Sequence, residues 1–403
     1  MRKQLVCAPL LAGALLAVTS RASAAQLCSN DATNPLPNPV FVTGSSALGA
    51  VLPKLGAALA GTTTIVSITP GSCQGVDAIF NGTPVGTGTA TYWDNTGTAN
   101  TCTLANEVAD VGVSDVYYKS CPAPYAFTTL PSGVTESLGF VIPEAFVVPA
   151  ASTANVISAA AAYMVYGFGG QSGTTAAPWL DPTAIFQSGG TNGPQMVLAN
   201  AIGVPTSKWL PTTGVVTGGS TGMLNSVSQA TNMNAAIGIM SSDTTDATSI
   251  VGGNPVSNRT LVKILQYQHS GQECSWLPDS SATAFDKRNV RAGHYVLWGQ
   301  EHFFTKGTKP QATDLVGYFT GAVAPPTGVS VLDLEIKGHF VPTCAMKVQR
   351  SAEMGPFTPY KPAQPCGCYM EELLAPGTSG CTACSGSMPC ATGTCSNGYC
   401  EGG

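Results

Sequence analysis

The feature that most constrains this chain is where its cysteines fall. Seven of the 14 (Cys366, Cys368, Cys381, Cys384, Cys390, Cys395 and Cys400) lie within the last 38 residues, and six (Cys28, Cys73, Cys102, Cys121, Cys274 and Cys344) are spread through the body. A Pro-, Gly- and Ser-rich segment that short has too little apolar surface to fold by burial, so cross-links must stand in for a core. Disulfides persist in oxidising compartments, and the N-terminus offers a route to one. Arg2 and Lys3 precede the apolar run Leu5 to Val18, and Ala22-Ser23-Ala24 provides the small residues a signal peptidase accepts, so residues 1–24 are expected to be cleaved. That run is too short to span a bilayer, and no later segment reaches the ~18 apolar residues a spanning helix needs. A lipid anchor requires a small residue before its cysteine, and Leu27 precedes Cys28. The expectation is a soluble periplasmic or extracellular protein. Cys7 leaves with the signal peptide, and the odd remainder implies one thiol that is free or pairs outside the chain. The tail contains no histidine, which favours disulfides over a zinc site.

Charge narrows the partners. Only 10% of residues are charged, well under the usual quarter, and loss of the signal peptide leaves 14 basic against 22 acidic side chains. No basic patch is dense enough to hold a nucleic-acid backbone. Lys287, Arg288 and Arg291 form the one small basic cluster, read as a solvated turn or a face for a partner. Between Lys54 and Arg259 the only cations are Lys119 and Lys208. An anion bound by that stretch must be held mainly by backbone N–H groups and hydroxyls.

The local patterns describe a parallel α/β chain. Val40 to Thr43 reads as a strand, Gly44-Ser45-Ser46 as a turn and N-cap, Ala47 to Ala60 as a helix and Thr62 to Thr69 as a second strand. Gly71 to Asn106 is rich in Gly, Thr and Asn and reads as a looped insertion or hairpin pinned by Cys73 and Cys102. Val108 to Val113 is a strand that ends at Ser114-Asp115. Gly139 to Pro149 is strongly β and long enough to pass between lobes. Thr153 to Met164 and Pro194 to Ile202 read as helices, Ile237 to Met240 as a buried strand, and His294 to Phe304 as a β-prone return. Gly218 to Gly222 reads as a turn before a helix from Met223.

Four of these pieces, taken in order, resemble phosphate-type periplasmic substrate-binding proteins. They are Thr43-Gly44-Ser45-Ser46, Asp110 to Asp115, Ala236 to Ile239, and Gly293 to Phe303. The resemblance spans about residues 38–345 and implies an α/β fold of type II periplasmic-binding-protein kind, with two lobes joined by two crossover strands and a small disulfide-rich C-terminal tail. Lobe 1 would combine residues 28–140 with 285–350, lobe 2 would be 145–280, and the Cys-rich tail 356–403. The implied role is non-catalytic binding of a small oxyanion, phosphate above all, without a cofactor. An ABC-type permease would be the partner, or a cell-surface partner reached through the tail. Carried over by position, the ligand contacts would be Ser45, Ser46, Ser114, Asp115, Thr191, Asn192 and Gly193. The family's arginine ahead of its hydroxyl turn is missing here, where Gln187 stands. The ending, Cys390 to Glu401, is similar to those of exported myxobacterial proteins.

Two alternatives remain open from sequence. The missing arginine and the tail fit a surface or matrix protein that reuses the fold without a ligand. Gly218-Gly219-Ser220-Thr221-Gly222 has the form of a nucleophile elbow, which would make Ser220 a serine-hydrolase nucleophile with Asp243, Asp246 or Asp286 as the acid and His294, His302 or His339 as the base, the fourth histidine being His269.

Overall fold

The computed structural model describes residues 26–29, 35–170, 176–189, 191–210, 214–377, 379–385 and 388–402; the expected signal peptide lies outside them. In chain order the strands that build the body are β1 (Val40–Gly44), β2 (Ile65–Ile68), β3 (Thr87–Trp93), β4 (Ala99–Ala105), β5 (Val111–Ser114), β6 (Val134–Pro149), β7 (Gly238–Ser241), β8 (Val262–Ile264) and β9 (Trp298–Lys306). The helices that matter for the site are α1 (Leu52–Leu59), α2 (Ser72–Phe80), α3 (Gly193–Ile202) and α4 (Gly219–Ser228), and α5 (Gly367–Leu374) lies in the tail.

Strand β6 organises both lobes. Its first part, Val134 to Pro143, pairs antiparallel with β9, and its last part, Glu144 to Pro149, pairs antiparallel with β7 and β8. The chain therefore changes sheets in one step at Pro143-Glu144 without leaving extended geometry. In lobe 1 the order is β2-β1-β5-β9-β6, with β2, β1 and β5 parallel and β9 antiparallel to β5. In lobe 2 parallel bridges join Val215 to Gln187 and Ile185 to Ile237, and β7, β6 and β8 follow. Each lobe thus has three parallel strands, then an antiparallel strand belonging to the chain's passage from the other lobe, then a final strand. This is the two-lobed α/β arrangement with crossover strands that the resemblance implied.

Local chemistry explains where the elements differ from expectation. Ser72–Phe80 is a helix, although its surroundings read as loop. Cys73, Val76, Ile79 and Phe80 are buried on its inner side. Gly75 lets it lie on the sheet: a Cβ there would sit 2.5 Å from the Val113 carbonyl and 2.7 Å from Gly44 Cα. The hairpin expected after it is β3–β4, which extends the sheet from β2. Within Thr153 to Met164 the β-branched Val156 and Ile157 open a short strand, Val156–Ser158, parallel to Gln266–Gln268, and the helix begins at Ala159, capped by Ser158. Helix α4 starts four residues early, so Gly219 to Gly222 is its first turn rather than a loop.

The basic cluster is not a solvated turn. Lys287 is 1% exposed and sits between Asp246 and Asp279, 2.8 Å from the latter, while Arg259 bonds the same two acids at 2.6 and 2.7 Å. Arg291 and Arg288 both reach Glu371 of α5, at 2.7 and 2.8 Å.

These pairs help to weld the tail to the body. The disulfide Cys344–Cys366 crosses the junction, and Cys366 and Met370 are buried in the same apolar cluster as Ile336, Val341 and Met346. Glu401, nearly the last residue, accepts from the Cys368 and Tyr369 N–H groups at 2.9 and 3.2 Å and so caps α5 at its positive end. Three more bridges (Cys368–Cys381, Cys384–Cys395, Cys390–Cys400) hold the tail itself, and two (Cys28–Cys102, Cys73–Cys121) lie in lobe 1. Cys274, exposed, is the free thiol among the described residues. This bonding fits an oxidising compartment. No helix among the described residues is long and apolar enough to cross a membrane. Replacing Cys344 and Cys366 together by alanine should lower the unfolding free energy by ~3 kcal/mol, the loop-closure value for a separation of this size. Urea melts check this, and unchanged stability would show that the tail docks without its covalent tie.

Candidate functional site

Ligands of open α/β sheets bind beyond the carboxyl ends of parallel strands, where connections diverge. Here the loops after β1, β2 and β5 in lobe 1 meet those after Gln187 and Val215 in lobe 2, around a cleft of about 450 Å³. Ser45 and Ser46, Thr69 to Ser72 and Asp115 line it from one lobe; Ser188, Gly189, Thr191 to Gly193, Val216, Gly218 and Gly219 line it from the other. Three helices begin at this cleft. Their first intrahelical bonds run from Gly75 N–H to Gly71 O, Met196 N–H to Asn192 O and Gly222 N–H to Gly218 O, each at 3.1 Å. The N–H groups of each preceding turn have no partner inside the helix, and α3 gives one fewer because Pro194 has none.

Asp115 is the charged centre of the site. Its carboxylate accepts from the Ser45 hydroxyl, and from the Ser72 hydroxyl at 3.1 Å. Ser45 also caps the short turn after β1 by accepting from Ala47 N–H at 3.0 Å. Burial raises the Asp115 pKa above the ordinary carboxylate range, and the hydroxyl donors Ser45 and Ser72 pull against that. The lobes touch at this point. A Cβ on Gly193 would stand 2.1 Å from Asp115 Oδ2 and 2.7 Å from its Cβ, and one on Gly71 would meet the Thr191 carbonyl at 3.5 Å.

Six of the seven residues singled out from sequence line the cleft: Ser45, Ser46, Asp115, Thr191, Asn192 and Gly193. Asn192 stands at the N-cap of α3 without a capping bond, so its amide is available to a guest. Ser114 does not line the cleft. It is fully buried, and its hydroxyl donates to the Val116 carbonyl at 2.7 Å. Gln187, where the arginine was missing, is buried in the strand of lobe 2 and is not among the lining residues. No lysine, arginine or histidine lines the cleft among the described residues.

Sequence reasoning missed two acids near Asp115. Glu144 on β6 and Glu301 on β9 are 1% and 0% exposed; neither Glu144 carboxyl oxygen has a hydrogen-bond partner among the described residues, and Glu301 stands against the Asp115 carboxyl. Burial, then the neighbouring charge of Asp115, pushes both well above the ordinary glutamate range. Asp243, bonded by Ser241, is raised to about 6, chiefly by burial. A signal was present: a glutamate set inside the apolar runs FVIPEAFVVP and WGQEHFF.

Ser220 lies in the first turn of α4. No hydrogen bond joins it to a histidine among the described residues. His302 bonds Glu136 at 2.7 Å, His269 bonds Tyr267 at 3.1 Å, and His294 stacks on Trp276.

Comparison with known proteins adds little beyond chain course. No family model matches the chain, and no curated protein matches it. Among solved structures it is similar to a protein described as a phosphate ABC transporter substrate-binding protein, with bound phosphate, from Clostridium perfringens (14% identity, covering 76% of this chain and 100% of that one, TM-score 0.47). It is also similar to an ABC-type phosphate transport receptor from Vibrio cholerae (14%, 76% and 100%, 0.46) and to the reduced OxyR regulatory domain from Pseudomonas aeruginosa (10%, 69% and 95%, 0.36).

Two outcomes follow from the geometry. Gly193→Ala should wedge the lobes apart at Asp115 and lower stability by about 1–3 kcal/mol, the usual cost of overpacking; a thermal melt with no loss would refute this contact. The folded protein keeps protons on Glu301 and Glu144 that the unfolded chain releases near pH 4.5. It therefore binds more protons than the unfolded chain above that pH, and stability falls as pH rises from there toward neutrality. Glu301→Gln should raise the melting temperature at pH 7 and leave it unchanged near pH 4. An equal gain at both pH values would rule out ionisation as the cause.

Proposed function

We propose that this chain is an exported, non-catalytic solute-binding protein whose interlobe cleft takes a small, proton-bearing oxyanion, with monohydrogen phosphate as the first ligand to test. The supporting observation is the meeting of three helix N-termini and a ring of hydroxyls from both lobes around one buried acid. Free N–H groups at the positive end of a helix hold an anion without a cation. Asp115 repels an anion with no proton to offer and accepts from one that has it, which separates monohydrogen phosphate or arsenate from sulfate. Binding exchanges the bond that Ser45 or Ser72 now gives Asp115 for one from the ligand. Ser46, Thr191, Asn192 and the N–H of Gly193 complete the cage, and closure of Gly193 onto Asp115 excludes water. The absent arginine removes the bidentate, charge-assisted bonds such a site otherwise has, so affinity should be modest. In this reading the protein works in the periplasm or outside the cell and hands its solute to a transport permease.

A second reading draws on the same contacts. Asp115 is already satisfied by Ser45 and Ser72 and packed against Gly193, so the lobes close without a guest; a surface protein that no longer binds a solute would have this arrangement. Calorimetry with phosphate, arsenate, sulfate and acetate decides between them. The expected result is heat from phosphate and arsenate alone, weakened about tenfold or more in Asp115→Ala, as befits a charge-assisted hydrogen bond. No heat from any of the four overturns the binding reading and leaves the surface role.

A further inference from the structure

A second cavity, of about 690 Å³, lies away from the cleft, where the tail crosses the body. Its walls are the end of helix Pro310–Thr320, Val331, Leu332 and Glu335 of helix Val331–Lys337, and Tyr360 and Pro362 to Gln364 of the strap. The strap is held in place by the disulfide Cys344–Cys366, and Cys344 itself lines the cavity. The volume is in the range of small-molecule sites.

Glu335 gives the cavity its chemistry. It lines the wall one turn after Val331 and is 5% exposed, and no salt bridge or side-chain hydrogen bond engages it among the described residues, so its carboxyl is served by whatever occupies the cavity. Burial alone pushes its pKa well above the glutamate range; no neighbouring charge contributes. Two further observations give the sign of the missing partner; the helix ends do not, because the C-terminal end of helix Pro310–Thr320 (Phe319, Thr320) and the N-terminal end of helix Val331–Lys337 (Ser330, Val331, Leu332) both face this space. Tyr318, Phe319 and Tyr360 add aromatic rings suited to a cation. No lysine, arginine or histidine is among the lining residues.

From this juxtaposition we infer that the cavity under the tail strap is a binding site for a small organic ammonium ion, an amine with an aromatic or branched apolar body, paired with Glu335. The ammonium supplies the partner the carboxylate lacks, and the apolar body covers Phe319 and Val331. The tail then has a function besides attachment, since it forms one wall of the site.

Calorimetry on the intact, disulfide-bonded protein with 2-phenylethylamine, and with 2-phenylethanol as its neutral counterpart, tests the inference. The expected result is saturable binding of one amine, with the alcohol weaker by about tenfold or more, the scale of a charged hydrogen bond. Glu335→Gln should erase that difference, and Asp115→Ala should leave amine binding intact, which separates this site from the cleft. Glu335→Leu should raise the melting temperature of the ligand-free protein, because it removes an unpaired buried acid that serves only the ligand. The inference falls if the amine gives no heat at millimolar concentration, if amine and alcohol bind alike, or if Glu335→Leu lowers the melting temperature and so marks Glu335 as structural.

Discussion

Everything in this fold depends on one strand belonging to two sheets. Val134 to Pro149 pairs with β9 in lobe 1 and, beyond Pro143, with β7 and β8 in lobe 2. Because the exchange occurs between adjacent residues, neither lobe can shift along the strand without breaking the register of the other. The return at Leu297 bonds Glu144 N–H at 2.9 Å, so the two passages are tied together where they cross.

The crossing also explains the electrostatics. Asp115 directly follows β5, Glu144 lies at the step in β6, and Glu301 sits at the irregularity of β9 between Gln300 and His302. Three acids are thereby brought beneath one cleft with no cation lining it. Such a floor favours protons on the glutamates: burial raises each acid, and the charge of Asp115 raises Glu144 and Glu301 further, while a hydrogen bond with Glu301 pulls Asp115 down. The placement of these acids beneath the cleft follows from where two strands cross, with little help from the loops.

Much of this was legible in sequence, and the failures have physical causes. Strands β1 and β5 and the long β6 announce themselves through β-branched runs with turn residues at their ends, and the cysteine pattern marked the tail. Helix α2 reads as loop because the segment Gly71 to Asn106 is rich in Gly, Thr and Asn. One of those glycines, Gly75, is what lets the helix touch the Val113 carbonyl. Six site residues came from motif order, but Ser114 shows the limit of that method. Alternation along β5 and the turn at Val116 direct its hydroxyl inward, which no motif records. Lys287 is hidden for a related reason: its partners Asp246 and Asp279 are 41 and eight residues away.

The tail's composition was plain, yet its attachment was not, since a disulfide pairing is a statement about folded geometry. Once Cys344 and Cys366 are joined, α5 brings Glu371 to Arg288 and Arg291 and places Met370 in the body's core. The fastening buries groups that a free tether would leave in water. In a chain with so few charges, an acid buried without a partner stands out. Glu144 and Glu301 are explained by the crossing that brings acids together, whereas Glu335 has no acid or base beside it and lies against a cavity. The difference in surroundings points to a difference in use: shared protons under the cleft, and a carboxylate kept for a guest beneath the tail.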